Sequence, residues 1–323
     1  MQFTTSFPIP ESSQKIEPIS QVLSLGSCFA ENMGKRMENL PINIINQPFG
    51  TLFHPNAILK ALQTDKLSPI ELVNQQGIWL HPDYHSSLCA TDPTDLMELI
   101  QQRQQVVKKC LGQSQFLLIT WGTAYYYWDK KLKRPIANCH KQTANSFEKR
   151  LSTVDEIVNS FQDFIQKVGK KNPELRIILS VSPVRHTKDG IPENAVSKAI
   201  LRLAAETLKN NHTQVEYFPA YEIMMDELRD YRFYASDMIH PNNTAEEYIW
   251  QKFTECYFSK DLLNIEKKWK SVFQTLNHQF HPAKKALYLQ SLAQCKAEFS
   301  SPSLSYDSSK IVQAIQARIL SIS

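Results

Sequence analysis

The sequence predicts an α/β protein, a three-layer α/β/α sandwich around a central parallel sheet, followed by a helical C-terminal extension. Short apolar runs typical of buried strands recur along the first 258 residues, and segments with helical spacing of apolar residues separate them. Strands that alternate with helices pair in parallel through right-handed crossovers. Beyond residue 258 the strand-like runs stop. We therefore predict an α/β domain over residues 1–258 and a helical extension over residues 259–323.

The predicted sheet strands are short apolar runs bounded by turn residues. They cover residues 22–25, 42–45, 116–120, 175–181 and 215–218. Helical spacing of apolar residues predicts helices at residues 29–40, 57–62, 93–111, 146–168, 195–209, 223–228 and 242–258. Residues 77–90 are predicted to be irregular or a hairpin, residues 121–141 a β-hairpin, and the extension helical to about residue 320.

Composition limits the class of protein. The 323 residues are 42% hydrophobic and 21% charged, as in globular proteins with a packed core. The formal net charge of +4 is small for this length, so we expect no nucleic-acid groove. No apolar run approaches the roughly 20 residues of a membrane span, and the first residues lack the features of a signal peptide. We predict a cytoplasmic protein with neither a membrane nor a nucleic-acid partner.

The cysteines and histidines do not predict a metal site. The six cysteines are expected to be reduced thiols, and none forms a Cys-x-x-Cys pair. His81 and His85 have the spacing of a helical metal-binding pair, but Pro82 lies between them and no Glu accompanies them. We expect no metal and no cofactor.

The stretch from Val22 to Gly34 organises the predicted domain. A buried strand ends at Gly26, and a helix begins directly after the turn that holds Ser27 and Cys28. The turn lies at the carboxyl edge of the predicted sheet, where helix N-termini favour negative charge and open α/β sheets bind ligands. Ser27 and Cys28 are both potential nucleophiles.

Other polar residues are predicted to meet this turn. Gly50 and the pair Gly122-Thr123 each follow a strand of the parallel sheet, and Asp237-x-x-His240 precedes the last helix of the domain. A nucleophile, N–H donors beside glycines and a histidine with a nearby carboxylate are the groups that acyl transfer requires.

Two of these motifs resemble those of a known family. The segment from Asp237 to Asn242 looks like the last catalytic block of the SGNH (GDSL-type) hydrolases. The segment from Leu25 to Ala30 is similar to that superfamily's first block and to the name motif of the GSCFA-domain family, which is grouped with it. Residues 138–141, 182–186 and 230–234 resemble GSCFA segments too. The resemblance covers about residues 20 to 258, and it implies a three-layer α/β/α fold with hydrolysis or transfer of acyl esters.

The resemblance places Cys28 at the position of the superfamily's nucleophilic serine and Ser27 at the position of the aspartate in Gly-Asp-Ser-Leu. It implies that Cys28 is the nucleophile, His240 the general base and acid, and Asp237 the residue that orients the imidazole. His240 and the helix N-terminus are expected to lower the pKa of the thiol. Two alternatives stay open: Ser27 is the nucleophile, or Cys28 is only a small buried residue.

The resemblance also implies an oxyanion hole. Its donors would be the N–H groups of Cys28 and Gly50 and an asparagine side chain, but Ala124 stands where that asparagine is expected. Thr123 and Asn138 are the candidates to replace it, the alternative being ordinary turn hydrogen bonds. Loss of one donor costs about 3 kcal/mol of transition-state stabilisation, which argues against a fast esterase.

Basic residues near strand ends are candidates for substrate binding. His140 and Lys141 end the predicted hairpin and Arg185 and His186 end a strand, where they can bind a phosphate or carboxylate group. The alternative is that they are solvated loop charges. The aromatic residues 125–128 either line a sugar-binding surface or pack the hairpin.

The sequence thus favours an enzyme, an SGNH-type acyl hydrolase or acyltransferase whose substrate is a small molecule such as an acylated carbohydrate. The alternative is a catalytically impaired binding module of the same fold that recognises a carbohydrate or an acylated ligand. A third hypothesis assigns the C-terminal helices to homodimerisation or to a partner.

Overall fold

A parallel sheet forms the centre of the computed structural model, which describes residues 4–64, 71–278, 281–301, 304 and 306–322. In chain order the described strands are β1 (Gln21–Gly26), β2 (Asn43–Asn46), β3 (Val73–Gln75), β4 (Ile78–Leu80), β5 (Cys89–Ala90), β6 (Phe116–Trp121), β7 (Tyr125–Asp129), β8 (Arg134–Ile136), β9 (Phe147–Leu151), β10 (Arg176–Val181) and β11 (Val215–Phe218). The central sheet has five strands in the order β11-β10-β6-β1-β2, and all neighbours are parallel. The strand order reverses between β1 and β6, which makes this the topological switch point where open α/β sheets bind ligands.

Helices cover both faces of this sheet. The described helices are α1 (Cys28–Glu38), α2 (Pro55–Gln63), α3 (Pro93–Leu111), α4 (Val154–Lys171), α5 (Ile191–Asn211), α6 (Ala220–Glu222), α7 (Asn243–Tyr257), α8 (Lys260–Asn277), α9 (Lys285–Phe299) and α10 (Ser309–Ile322). Side chains of β1 alternate between two apolar cores. Leu23 packs in a core with α3, α4 and α5, whereas Val22 packs in a core with α1 and α7. The predicted three-layer α/β/α architecture is confirmed.

The C-terminal extension is helical, as predicted, and it packs on the α1 and α7 side of the sheet. Leu262, Trp269, Leu292 and Ile315 are buried in the same core as Met33 of α1. Among the described residues, none of the helices is long and apolar enough to cross a membrane.

Main-chain contacts with the N-terminal segment span the predicted domain boundary at residue 258. The N–H of Ser259 donates to the carbonyl of Ile16, and Ile16 forms a parallel bridge with Phe258. The lead-in segment therefore joins the domain to the extension, and the division into two domains stays a prediction.

One local prediction was wrong. The helix predicted over residues 146–168 begins only at Val154, because Phe147–Leu151 forms strand β9 beside β7. Thr153 and Glu156 form a reciprocal capping box that fixes the helix start, a sequence pattern that the prediction missed. The segment predicted to be helical over residues 223–228 is helical, with Ile223–Glu227 forming a π-helical turn.

Candidate active site

Cys28 is the first residue of α1 and lies at the carboxyl end of β1. Gly26 has a φ of +138°, and a Cβ there would lie 2.1 Å from the carbonyl oxygen of Thr120 in β6. The N–H of Ser27 donates to the same oxygen at 3.0 Å. The chain passes so close to the end of β6 that only glycine fits this turn. Cys28 therefore lies at the switch point.

The Cys28 thiol is partly buried, and its environment works against ionisation. Burial is the largest influence and raises the pKa of the Cys28 thiol. The N–H groups of Phe29 and Cys28 and the charge of Lys198 lower that pKa, but they do not outweigh burial. The N–H groups at the start of the helix thus lower the pKa of this thiol, as expected, but His240 is not among the groups that act on it and burial keeps the pKa raised.

Ser27, the alternative nucleophile, has no exposed surface. Its hydroxyl has no hydrogen-bond partner among the described residues, and it does not cap α1 although it occupies the N-cap position. A substrate would reach this hydroxyl only if the turn opened, so the geometry favours Cys28.

Asp237 and His240 form a preformed pair. Nδ1 of His240 lies 2.7 Å from Oδ2 of Asp237. The other carboxylate oxygen accepts the N–H groups of Ile239 at 2.9 Å and of His240 at 3.0 Å. The N–H of His240 is the largest of the influences that lower the pKa of Asp237 to about 2. An anionic carboxylate on Nδ1 fixes the proton there and leaves Nε2 as the base.

This pair is open to solvent, and its loop is held by main-chain hydrogen bonds. The side chains of His240 and Asp237 are 48% and 45% exposed. The N–H of Ala235 donates to the carbonyl of His240 at 2.8 Å, and Met238 takes up a left-handed conformation with φ +57°. Asn242 then caps α7 through its side-chain oxygen.

Two side-chain contacts join the helices that begin at Cys28 and beyond His240. Asn32 Nδ2 donates to Glu246 Oε1 at 2.7 Å, and Arg36 forms an ion pair with Glu247 at 2.6 Å. In the described part of the chain no hydrogen bond links the Cys28 sulfur to His240. Proton transfer between them therefore requires a shift of a side chain or a bridging water.

His186 lies beside both parts of the site. Its Nε2 is buried without a partner among the described residues, and a Cβ at Gly122 would lie 3.2 Å from it. Burial, with smaller contributions from the charges of Lys198 and His240, lowers the pKa of His186 to about 4. The imidazole is therefore neutral near pH 7, so His186 is a hydrogen-bonding group and not the cationic anion binder that the sequence suggested.

The role predicted for Arg185, binding of an anionic substrate group, stays a prediction. Its guanidinium lies 4.4 Å from the ring centre of Tyr234 and 5.4 Å from that of Tyr231, both next to the His240 loop. No carboxylate of the described residues forms an ion pair with it. The positive charge is therefore available to a ligand.

Two predicted oxyanion donors are already engaged. The N–H of Gly50 donates to the carbonyl of Gln47 at 2.9 Å, so the predicted role of Gly50 is not supported. The Thr123 hydroxyl lies 3.1 Å from Ser197 Oγ and accepts the N–H of Tyr125 at 3.1 Å. Both residues shape their loops.

Asn138 and His140 form a local turn. Asn138 Oδ1 accepts the N–H of His140 at 2.9 Å, and His140 Nε2 lies 2.8 Å from the carbonyl oxygen of His81. His140 is buried, and burial lowers its pKa. These contacts engage Oδ1 of Asn138 and Nε2 of His140, and Lys141 beside them is exposed.

Glu71, His81 and Asp83 lie close enough together to hold a metal ion. Two cations already occupy this group, however. Asp83 pairs with Arg134 at 2.6 Å and with Lys60 at 2.7 Å, and Arg134 also pairs with Glu71. The group is a neutral ion-pair network, which does not favour an added cation.

Lys198 is the residue that the sequence analysis missed. It lies on the buried face of α5 with Leu201, Ala205 and Leu208, at spacings of three and four residues. A lysine on the apolar stripe of an amphipathic helix was the available signal.

Comparison with known proteins gives one family. The family model of the GSCFA family matches residues 21–253. The chain is also similar to a Streptococcus pneumonia protein whose structure is described as that of a candidate platelet activating factor. The two are 11% identical with a TM-score of 0.37, over 73% of this chain and 83% of that chain. So distant a similarity carries no argument about activity. No curated protein matches the sequence.

Proposed function

Because the chain belongs to the GSCFA family, we propose that it is an acyl hydrolase or acyltransferase of the SGNH type with Cys28 as the nucleophile. The observation that carries this proposal is the Asp237–His240 pair, aligned at 2.7 Å on the loop before α7. The helix that begins at Cys28 is joined to α7 by the Asn32 and Arg36 contacts.

In the proposed reaction the Cys28 thiol gives its proton to Nε2 of His240 while the sulfur attacks the acyl carbonyl. The protonated imidazole passes this proton to the leaving alcohol, so the products are an acyl thioester and a free alcohol. Water or a second hydroxyl then attacks the thioester by the same steps, which releases the acid or a new ester and restores the thiol. Asp237 stabilises the imidazolium in both halves.

The oxyanion would be held by the expected N–H of Cys28 together with groups that were not expected. The N–H groups of Cys28 and Phe29 face the sulfur at the start of α1, where helical N–H groups lack partners. The neutral imidazole of His186 beside Gly122 is a further donor when its proton is on Nε2. It would replace the side-chain donor that Ala124 cannot supply.

The substrate is proposed to carry an anionic group. Arg185 offers a guanidinium held over two tyrosine rings next to the His240 loop, with no ion-pair partner in the described chain. Planar guanidinium groups bind carboxylate and phosphate oxygens in pairs. An acylated small molecule with such a group fits this site.

The test is acyl transfer to the protein from p-nitrophenyl esters of acetic, butyric and octanoic acid, followed by mass spectrometry. We expect an acyl adduct on Cys28, and a loss of roughly 10³-fold or more in turnover for Cys28→Ala. Ser27→Ala is the matched control and should keep both the adduct and the activity. Unchanged turnover in Cys28→Ala, or an adduct on Ser27, would refute the assignment.

A binding module remains the second candidate, since the pKa of Cys28 is raised by burial and no direct hydrogen bond joins it to His240 in the described chain. This alternative predicts that Cys28 is not acylated by any of the three esters. It also predicts that Cys28→Ala binds a ligand as well as the wild type does.

A further inference from the structure

Lys198 is fully buried beside the candidate nucleophile, with 1% of its surface exposed. Its Nζ donates to the carbonyl oxygens of Gly122 and Ser182, each at 2.7 Å. Those carbonyls follow β6 and β10, which are neighbours in the sheet, and β6 is also the neighbour of β1. The side chain thus reaches from α5 to the carboxyl edge of the sheet, where Cys28 begins α1.

No carboxylate of the described chain forms an ion pair with Lys198. The ring of Tyr221 lies 5.8 Å from its Nζ, and His186 is the nearby imidazole whose pKa its charge lowers. A buried ammonium without a carboxylate is costly, and burial lowers the pKa of Lys198 to about 7. The one acidic group that raises this pKa is Cys28.

We propose that Lys198 is a positioning residue of the Cys28 site: its ammonium, anchored on the carbonyls of Gly122 and Ser182, supplies the positive charge that stabilises the Cys28 thiolate. Lys198 keeps its own proton, and the thiol proton leaves to an imidazole or to water. This inference rests on the proposed role of Cys28 as a reacting thiol, but not on the acyl chemistry.

The influence between the two groups is reciprocal. The charge of Lys198 lowers the pKa of Cys28, and a Cys28 thiolate raises that of Lys198. Glu31, the other charged group acting on Cys28, opposes this effect. Substrate or side-chain closure that brings His240 nearer would remove the thiol proton, and the ammonium is already in place to hold the thiolate.

The first experiment measures the rate of Cys28 alkylation by iodoacetamide against pH, read by mass spectrometry of the Cys28 peptide. The variants are Lys198→Met, which removes the charge, and Lys198→Gln, which keeps a donor for the carbonyls. We expect the alkylation rate below pH 7, where Lys198 is charged, to fall about tenfold in both variants. Lys252→Met, which removes a lysine 3.7 Å from Glu227, is the control and should not change the profile.

Folded variants with the wild-type alkylation rate below pH 7 would overturn the proposal and leave Lys198 a structural link between two strands. If the variants do not fold, a second measurement keeps Lys198 in place. Wild-type protein is alkylated at Cys28 with iodoacetate or with iodoacetamide, and the Lys198 side chain is titrated by NMR with ¹³Cε-labelled lysine. We expect a higher midpoint with the carboxymethyl anion than with the neutral carbamidomethyl group, and equal midpoints would refute the proposal.

The two proposals fail separately. Slower alkylation of the Lys198 variants below pH 7, without any ester turnover by the wild type, would support the role of Lys198 and refute the acyl-transfer function. Acylation of Cys28 with no effect of Lys198 on either titration would support the acyl-transfer function and refute the role of Lys198.

Discussion

The two parts of the candidate site are built in opposite ways. Cys28 lies in a tight strand-to-helix turn, partly buried, beside the fully buried Lys198. Asp237 and His240 lie on a surface loop, and about half of each side chain is in contact with solvent. The proposed base is therefore accessible to solvent, whereas the proposed nucleophile is fixed in position and its thiol is protonated.

This difference in burial gives the thiol and the imidazole different reactivities. A buried thiol with a raised pKa reacts slowly with solvent-borne electrophiles, because the thiolate is the reactive form. An exposed imidazole beside an anionic carboxylate can accept a proton when a substrate closes the gap. The burial of the thiol therefore protects it from such electrophiles.

The largest effect is expected at the turn that supports Cys28. Gly26→Ala places a Cβ 2.1 Å from the Thr120 oxygen at a φ of +138°, so β1 cannot keep its position beside β6. We expect a loss of about 4 kcal/mol or more in the free energy of unfolding, measured by urea denaturation. Gly77→Ala is the matched control: φ is +86° but the space is open, so the expected cost is about 1–2 kcal/mol. Similar losses of unfolding free energy in both variants would mean that the positive φ, and not the contact with β6, is why residue 26 must be glycine.

The exposed pair is expected to affect rate and not stability. His240→Ala removes the base, and we expect turnover of p-nitrophenyl esters to fall roughly 10²–10⁴-fold with an unchanged melting temperature. Asp237→Asn should cost less, because its side-chain oxygen can still accept the N–H groups of Ile239 and His240. A melting temperature that falls with activity would show that the pair is structural.

Buried imidazoles, unlike His240, should make the fold sensitive to acid. Burial lowers the pKa values of His54 and His81 to about 4. Between pH 6.5 and 4 the unfolded chain then binds more protons than the folded protein, so stability is full above pH 6.5 and falls as the pH decreases. Each group contributes a slope of about 1.4 kcal/mol per pH unit in that window. His54→Gln should reduce the slope of unfolding free energy against pH, while the exposed His281→Gln should leave it unchanged.

The smallest effect is expected at Met238, in the loop of the exposed pair. Its φ of +57° is unfavourable for a side chain, but 49% of the residue is exposed and no tight contact depends on it. Met238→Gly removes the cost of this conformation in the folded protein, but glycine also gives the unfolded chain more conformational freedom. Because the two effects oppose each other, we expect the free energy of unfolding to change by less than about 1 kcal/mol, measured by thermal denaturation. A large stabilisation would show that the loop stores strain near His240.

The sheet was predictable because its strands carry continuous apolar runs. All six residues of β6 and five of the six in β10 are buried, which gives the strongest pattern a single sequence can show. The start of α4 was missed because β9 has few buried residues, and the Thr153–Glu156 capping box was overlooked.

The motifs of the candidate site could be predicted from the sequence, but the electrostatic environment of its side chains could not. The Gly26 turn and the Asp237-x-x-His240 pair are local in sequence, and both have the expected local geometry. The pKa of Cys28 depends on burial by chain segments far away in sequence, which no local pattern reports. Likewise, the hydrogen bond of Gly50 to Gln47 depends on the exact path of a loop.

The packing of α1 also has a consequence for how the protein is made. Its apolar face shares a core with α7 and the three helices after it, and Lys310 in the last helix donates to the carbonyl of Glu38 at α1's end. The ribosome releases a chain from its N-terminal side, so α1, which carries Cys28, emerges long before the helices that pack on it. The nascent chain exposes this apolar surface until the helices from α7 to α10 have been made, so we expect chaperone dependence and aggregation of products truncated before them.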